Sequence, residues 1–267
     1  MSTSLITSNA NPQVKLLRKL QKASERREQN KILIEGIRET VLAAKSGLKI
    51  LSLYVCKEYL REDNRYNLNT LKQIPSINYL SASVYETLAY REGTEGIIAV
   101  AEPRQRTLNN LHLPEDALLL VVEAVEKPGN LGAMLRTADA AGVNAVLVAD
   151  SKIDIYNPNV IRSSLGTVFT VPLVVDDAPQ IIRYLKEKNI SIYAATPEAT
   201  VPYYQCDYRG ATAIVVGAEA NGLSAAWRQA AHHGVVIPMH GQIDSLNVSV
   251  SAAIMLYEAI RQRSIKG

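Results

Sequence analysis

The chain has 267 residues, enough for two domains, and its 47% content of hydrophobic residues excludes a disordered protein. Thirteen of the fifteen aromatic residues are tyrosines, so Leu, Ile, Val and Ala must build the core, which suits a parallel sheet buried on both faces. The formal net charge of +3 indicates no particular partner. No apolar run approaches the roughly 18 residues of a membrane span, and the N-terminus lacks the order of a signal peptide. Cys56 and Cys206 fit no metal or redox spacing, so we expect a cytoplasmic protein with no membrane segment.

The first predicted element is a basic helix over residues 11–29, capped near Asn11. Residues 15–31 hold seven basic side chains against two acidic ones, a larger surplus than that of the whole chain. Such a helix either contacts phosphates or presents a solvated face that binds nothing, and both interpretations stay open. The candidate phosphate-binding residues here are Lys15, Arg18, Lys19, Arg26 and Arg27.

A small α/β unit follows this helix. Its further predicted elements are a short apolar run at 31–35, a helix at 37–45, a strand at 50–55, a short helix at 81–88 and a strand at 96–101. Residues 103–114 are polar, bounded by prolines and without periodicity. We therefore predict a first domain over residues 1–104, a linker over 105–115 and a second domain over 116–267.

Helices alternate with continuous apolar runs in the second domain. The predicted strands are 117–124, 145–149, 170–175, 191–195, 213–216 and 235–238, and the predicted helices are 131–141, 158–164, 180–188 and 247–262. This alternation is typical of a mostly parallel sheet covered on both faces.

Ligands of open parallel sheets bind beyond the carboxyl ends of the strands, so the loops there are the candidate sites. The first such loop opens the segment 126–142 and leads into the predicted helix 131–141, for which Asn130 is a candidate cap. Arg136 and Asp139 follow three residues apart. On spacing alone, Arg136 could equally be a surface arginine paired with Asp139.

Two further loops have unusual composition. In the segment 215–224, Gly217 and Gly222 follow a buried strand and flank Glu219. In the segment 237–251, a polar loop passes to a helix whose cap is Ser245 or Asn247. No G-x-G-x-x-G fingerprint or P-loop occurs, which argues against a nicotinamide, flavin or nucleoside-triphosphate enzyme.

The three loops, in this order and spacing, resemble the signature motifs of the SpoU/TrmH family, the 2′-O-methyltransferase branch of the SPOUT superfamily, over about residues 117–262. The N-terminal unit resembles the RNA-binding substrate domain that often precedes this catalytic domain, on the segments 32–39 and 94–100. Lys127 and Ala220 depart from the pattern of many relatives, which leaves the subfamily open.

The resemblance implies a SPOUT-type α/β fold with a C-terminal trefoil knot, an S-adenosylmethionine cofactor that leaves as S-adenosylhomocysteine, no metal ion, and a homodimer with the site near the subunit interface. It assigns catalytic positions to Asn130, Arg136, Glu219, Ser245 and Asn247. It assigns cofactor-binding positions to Thr196, Gly217, Glu219, Gly222, Ile237, Met239 and Leu246. It adds Arg136 and Arg162 to the candidate RNA-binding residues.

The implied reaction is methyl transfer to a ribose 2′-hydroxyl of structured RNA, with ribosomal RNA favoured over transfer RNA. Because guanidinium has a pKa above about 12, Arg136 is better suited to hold the target phosphate and stabilise developing alkoxide charge than to act as a base. Glu219 is either the base or a carboxylate that shapes its loop. Competing hypotheses are an RNA-binding protein without catalysis, an RNA base methyltransferase and a nucleotide-using metabolic enzyme. A metal site at His232, His233 and His240 is disfavoured because adjacent histidines cannot easily chelate one ion.

Overall fold

A computed structural model describes residues 5–60, 71, 73–90, 95–218 and 221–264. The chain forms two compact units. The first contains residues 1–104 and the segment Asp154–Thr170, and the second contains Gln105–Ile153 and Val171–Gly267. We call Asp154–Thr170 the inserted segment, because it lies within the sequence of the second domain and packs in the first unit.

The strands are β1 (Leu5–Ile6), β2 (Ile32–Glu35), β3 (Ile50–Val55), β4 (Ile77–Leu80), β5 (Ile97–Ala101), β6 (Leu118–Glu123), β7 (Ala145–Ala149), β8 (Leu173–Asp176), β9 (Ser191–Ala195), β10 (Val201–Pro202), β11 (Thr212–Val216) and β12 (His233–Val236). The α-helices are α1 (Pro12–Leu20), α2 (Ala23–Gln29), α3 (Ile37–Lys45), α4 (Ala82–Glu86), α5 (Pro128–Ala140), α6 (Pro158–Ser163), α7 (Thr167–Thr170), α8 (Ala178–Glu187), α9 (Ala225–Ala230) and α10 (Val248–Ser264).

The first unit is built on a mixed sheet with strand order β1-β4-β3-β5-β2. β5 runs antiparallel to both of its neighbours, whereas β1, β4 and β3 pair in parallel. The sequence pattern did not predict β1 and β4, because one has only two residues and the other mixes polar and apolar side chains.

The predicted helix over residues 11–29 is wrong, because the structure has two helices, α1 and α2, in its place. Lys22 between them is extended, with φ −89° and ψ 136°. The apolar stripe of Val14, Leu17 and Leu20, which packs into the first core, has no continuation in the polar sequence after Leu20. Hydrophobic burial therefore supports only the first half of the predicted helix.

The inserted segment completes the first unit. Its helix α6 packs on β2, and its helix α7 packs on α3. Val160 and Ile161 are buried at 0% and 2% exposure, so the segment contributes core residues as well as surface. The strand predicted over residues 170–175 begins instead at Leu173, because Thr167–Thr170 is helical.

The second unit contains a sheet in which every neighbouring pair of strands is parallel, in the order β10-β12-β9-β11-β6-β7-β8. All residues of β6, β7 and β11 are buried, which explains their continuous apolar sequences. The predicted mixed α/β fold with a mostly parallel sheet is confirmed. The C-terminal trefoil knot stays a prediction.

The residues predicted as a linker are part of the second unit. Leu108 is 8% exposed in its core, and Leu111 and Leu113 pack against that core. Helix α9 was not predicted, although its Trp227 is fully buried. Among the helices that the structure describes, none combines the length and the apolar character needed to cross a membrane.

Candidate active site

A cleft of about 980 Å³ lies in the second unit beyond the carboxyl ends of β9, β11 and β12. Three loops that follow these strands line it, with described residues from 196–198, from 217–218 and 221–223, and from 237–247. The structure brings eight of the predicted site residues to this one cleft: Thr196, Gly217, Gly222, Ile237, Met239, Ser245, Leu246 and Asn247. Because the carboxyl ends of parallel strands lie at one edge of the sheet, loops that are far apart in sequence meet there.

The first loop is anchored at Thr196, whose N–H donates to the carbonyl of Val235 over 3.0 Å. The Thr196 hydroxyl donates to the carboxylate of Glu198, which also lines the cleft. This hydrogen bond is the main cause that lowers the pKa of Glu198. Glu198 was not among the predicted site residues, since a glutamate in a short loop carries no local signal.

The second loop depends on two glycines. A Cβ at Gly217 would lie 2.3 Å from the carbonyl carbon of Gly222, so only glycine fits there. Gly222 has φ +62°, and its N–H donates to Ala218 over 2.9 Å to close the turn. Glu219 and Ala220 lie outside the described residues.

A buried carboxylate anchors the C-terminal end of the second loop. Glu123, the last residue of β6, is 4% exposed and accepts the N–H of Ser224 over 2.8 Å. Glu123 was not among the predicted site residues. The sequence signal that could have found it is a charged residue that ends an otherwise apolar strand.

The third loop leads into α10. Asn247 caps this helix, accepting from the Ser249 N–H over 2.9 Å, so the choice between Ser245 and Asn247 falls on Asn247. Within the described chain, no main-chain N–H of residues 237–246 donates to another main-chain carbonyl. These donors remain available to a ligand.

Asn130 does not have the predicted role of helix cap. Helix α5 begins at Pro128 with Lys127 as the capping residue, so Asn130 lies inside its first turn. The Asn247 side-chain N–H2 donates to Asn130 Oδ1 over 3.3 Å. Asn130 Nδ2 is buried without a hydrogen-bond partner among the described residues. The two asparagines predicted as catalytic are therefore in contact.

Arg136 lies further along α5 with an exposed side chain, and it is not among the residues that line the cleft. It makes no hydrogen bond or ion pair with any other described residue. Among the described residues, Arg136 therefore does not join the eight candidates that line the cleft.

The candidate RNA-binding residues of the first unit divide into two groups. Lys15, Arg18, Lys19 and Arg27 are exposed. The structure contradicts the prediction that Arg26 contacts phosphate, because this residue is 3% exposed and its guanidinium binds Asp154 of the inserted segment at 2.6 Å.

Arg162 is partly buried among carboxylates. Burial raises the pKa of Glu35 and of Glu39, and the nearby positive charge of Arg162 partly opposes that rise. Arg162 therefore belongs to an ionic cluster of the first unit, which competes with any contact to RNA.

Two of the three histidines of the disfavoured metal site have structural contacts. His232 Nδ1 accepts the Ile192 N–H over 3.0 Å, and the ring of His233 stacks on Tyr193 with 5.1 Å between centroids. Within the described part of the chain, no group of three or more His, Cys, Asp or Glu side chains is placed to hold a metal ion.

A parallel sheet with a cleft at the carboxyl ends of its strands defines the class of α/β proteins that bind a small ligand at that edge. A family model described as the SpoU rRNA methylase family matches residues 117–257, and one described as an MRM3-like substrate binding domain matches residues 11–99. The chain belongs to the SpoU rRNA methylase family, which confirms the resemblance.

Full-length relatives and solved structures agree with this family. The chain is 33% identical over 257 residues to the 23S rRNA guanosine 2′-O-methyltransferase RlmP of Bacillus subtilis, covering 94% of this chain and 97% of that protein. It is 36% identical over 241 residues to the 23S rRNA guanosine 2′-O-methyltransferase RlmB of Vibrio cholerae, covering 86% and 97%. A crystal structure of an RNA 2′-O ribose methyltransferase superposes with a TM-score of 0.88 at 42% identity, covering 98% and 100% of the two chains. An AdoMet-bound rRNA methyltransferase from Sinorhizobium meliloti superposes with a TM-score of 0.86 at 27% identity, covering 97% of each chain.

Proposed function

We propose that this protein transfers a methyl group from S-adenosylmethionine to the ribose 2′-hydroxyl of a nucleotide in ribosomal RNA, with guanosine as the target. The observation that carries the proposal is the cleft in which eight predicted site residues meet, seven of them from the motifs at 215–224 and 237–251 and one, Thr196, from the loop after β9. The names of RlmP and RlmB support the choice of ribosomal RNA and guanosine. The cytoplasmic location stays a prediction.

The cleft suits the proposed cofactor. Its volume is at the upper end of the range usual for small-molecule sites. Ile237, Met239 and Leu246 supply apolar surface for an adenine ring, and the unpaired N–H groups of the third loop can donate to its nitrogen atoms. We expect these residues, with Thr196 and the loop of Gly217, to hold the cofactor.

When bound, S-adenosylmethionine supplies a methyl group already activated for transfer, so the protein's own task is alignment and charge stabilisation. The 2′-oxygen would bond to the methyl carbon as the sulfur–carbon bond breaks with its electron pair on sulfur, and the hydroxyl proton would pass to Glu219 acting as base or to solvent. Asn130 and Asn247, whose side chains are in contact, are the candidates to orient the ribose. Ser245, also on the cleft wall, is a further candidate for this role.

Arg136 is proposed to bind the target phosphate and stabilise the developing alkoxide. Its exposed position outside the cleft is compatible with a site near a subunit interface, where RNA or a second copy of the chain brings it to the reacting atoms. Glu219 remains the alternative base.

The proposed RNA surface is the exposed side of α1 and α2. Lys15, Arg18 and Lys19 lie three and four residues apart, which places them on one side of α1. Arg18 Nη2 donates to Asn9 over 2.8 Å and to Thr87 over 3.0 Å, so its guanidinium is held in place. Cations ordered in this way favour phosphate contacts over a face that binds nothing.

The proposed homodimer would use α10. Val250 and Tyr257 on this helix are 46% and 51% exposed, and Ile254 between them is partly exposed. The three residues follow the i, i+4, i+7 spacing of one helix face. An exposed apolar stripe of this kind is typical of a surface that another protein surface covers.

The test is single-turnover methylation of ribosomal RNA transcripts by the full chain with labelled S-adenosylmethionine, followed by nucleoside mass spectrometry. We expect 2′-O-methylguanosine, and a rate at least about a hundredfold lower for Arg136→Ala. Arg183→Ala, an exposed arginine of α8, is the matched control and should keep the rate of the unaltered protein.

Other products would decide between the competing hypotheses. A methylated base would assign a base methyltransferase. RNA binding without binding of S-adenosylmethionine would assign a non-catalytic RNA-binding protein. A normal rate for Arg136→Ala would contradict the role given to that residue.

A further inference from the structure

Glu198 is a charged residue of the cleft for which the motifs give no role. It lies on the loop after β9, two residues beyond Thr196, whose hydroxyl donates to its carboxylate. That hydrogen bond and, to a smaller extent, the charge of Arg228 lower the pKa of Glu198. At neutral pH the side chain is therefore a carboxylate, which only accepts hydrogen bonds.

The position of Glu198 along the sheet edge indicates which part of the cofactor it faces. In the order β12-β9-β11-β6, the strand before Glu198 is two positions from β6, the strand before Asn130. Neighbouring strands lie roughly 4.8 Å apart, so the ends of β9 and β6 are separated by roughly 10 Å. Asn130 and Asn247 hold the β6 side of this edge, where the ribose of the RNA is proposed to react.

The connectivity of S-adenosylmethionine is adenine, ribose, sulfonium and amino-acid tail. If the sulfonium is at the β6 side, the nucleoside part extends towards β9. A ribose presents two adjacent hydroxyl donors, and a carboxylate has two acceptor oxygens. In dinucleotide-binding folds, a carboxylate at the end of a parallel strand accepts from the ribose of adenosine in this way.

We propose that Glu198 binds the ribose diol of the cofactor and that Thr196 positions the Glu198 carboxylate for this contact. The inference rests on the proposed function, since it presumes that S-adenosylmethionine occupies the cleft. It deepens that function by naming the residue that selects a ribonucleoside at the cofactor site.

The test is calorimetric titration of the full chain with three ligands: S-adenosylhomocysteine, 5′-methylthioadenosine, which lacks the amino-acid tail, and 2′-deoxy-5′-methylthioadenosine. Glu198→Gln should weaken binding of the first two by the same factor, about tenfold to a hundredfold. The unaltered protein should bind the deoxy ligand more weakly than 5′-methylthioadenosine, and Glu198→Gln should remove that difference.

Controls separate this contact from a general effect on the fold. Glu187→Gln alters an exposed glutamate of α8 in the same unit and should bind all three ligands like the unaltered protein. Thr196→Val should reproduce part of the loss, and Thr196→Ser, which keeps the hydroxyl, should restore affinity. Circular dichroism should show the same thermal midpoint for Glu198→Gln and the unaltered protein.

Two outcomes would overturn the inference alone. A loss confined to S-adenosylhomocysteine would assign Glu198 to the amino-acid tail, and unchanged affinities for Glu198→Gln would remove it from the cofactor site. If the unaltered protein bound neither S-adenosylhomocysteine nor 5′-methylthioadenosine, the proposed function would fail first, and the inference with it.

Discussion

Arg26 and Arg27 are neighbours in sequence with opposite environments. Arg26 is 3% exposed, and its Nη1 donates to the carbonyls of Leu20 and Gln21, each over 2.8 Å. It also binds Asp154. Arg27 is exposed and donates only to Ala23, one turn earlier in α2. The charge pattern of α2 does not distinguish them, because both belong to one basic run.

Because of this difference, we expect substitution of Arg26 to affect stability and substitution of Arg27 to affect RNA binding. Arg26→Ala should lower the free energy of unfolding by about 3 kcal/mol, since it leaves Asp154 and two carbonyls without their partner. Arg27→Ala should change that energy by less than about 0.5 kcal/mol but weaken RNA binding. Urea unfolding followed by circular dichroism and salt-dependent RNA titration would measure the two effects. Equal stability of the two variants would contradict the buried environment of Arg26.

The raised pKa of Glu39 should make the free energy of unfolding depend on pH. Burial raises its pKa above the ordinary value of 4.5, and the nearby carboxylate of Glu95 adds to the rise. The folded state therefore keeps the proton to higher pH than the unfolded chain, so stability falls as pH rises from 4.5 through the raised pKa. One such proton contributes a slope of at most about 1.4 kcal/mol per pH unit.

Glu39→Gln should remove this part of the pH profile and be at least as stable as the unaltered protein at neutral pH. The measurement is the difference in unfolding free energy between the two proteins from pH 4 to pH 8. A difference that stays constant across this range would show that Glu39 titrates alike in the folded and unfolded states.

A side chain at position 217 should distort the cleft. Gly217→Ala should cost about 1–3 kcal/mol and abolish ligand binding, because the new Cβ would overlap the main chain at Gly222. Gly210→Ala is the matched control, since a Cβ there meets nothing within 4 Å. Thermal unfolding and S-adenosylhomocysteine titration would compare them. Similar stability for both variants would show that the second loop can move aside.

At the scale of elements, the inserted segment departs most from the order of the sequence. Residues 154–170 lie between β7 and β8 of the second sheet, yet α6 packs on β2 and α7 packs on α3. Gly166 has φ +84°, and a Cβ there would lie 3.0 Å from a methyl of Leu42 and 3.1 Å from the main chain of Glu39. The close approach of α7 to α3 therefore requires glycine.

The packing of the inserted segment predicts which elements lose stability when one of its buried side chains is shortened. Ile161→Ala should cost about 2–4 kcal/mol, because Ile161 is 2% exposed in the first unit. Hydrogen exchange should accelerate in β2 and α3, whereas β6 and β11 keep their protection. Lys152→Ala, an exposed change just before the segment, should leave the pattern unchanged. Faster exchange confined to the second sheet would assign the segment to that unit instead.

At the scale of the molecule, the two proposed binding surfaces belong to different units. The exposed basic residues proposed to contact RNA lie on α1 and α2 of the first unit, and the exposed stripe of Val250 and Tyr257 lies on α10 of the second. Each unit thus presents its own kind of surface, one suited to phosphates and one to another protein.

The exposed apolar stripe on α10 predicts the oligomeric state of the protein in solution. Tyr257→Glu should convert the proposed dimer to a monomer, because a carboxylate would be buried without a partner. Leu5→Glu, which alters a 55% exposed leucine of the first unit, should leave the dimer intact. Sedimentation equilibrium would measure both. A monomeric unaltered protein, or a dimeric Tyr257→Glu, would contradict this role of α10.

The parallel sheet and most of the cleft follow from local sequence patterns. The strands β6, β7 and β11 are apolar except for Glu123 and Thr212 at strand ends, because both faces of the sheet are covered, and loops after parallel strands must meet at one edge. Glycine and helix-cap patterns in those loops are local, so Gly217, Gly222 and Asn247 could be found without coordinates.

Three features could be known only from the folded chain: the role of Arg26, the unit to which residues 154–170 belong, and the presence of Glu198 in the cleft. Each depends on what packs against a side chain from far along the chain. Arg26 is buried because Asp154, 128 residues away, lies beside it. Local patterns encode periodicity and turn chemistry, whereas the burial of one particular charge is set by contacts that no local pattern contains.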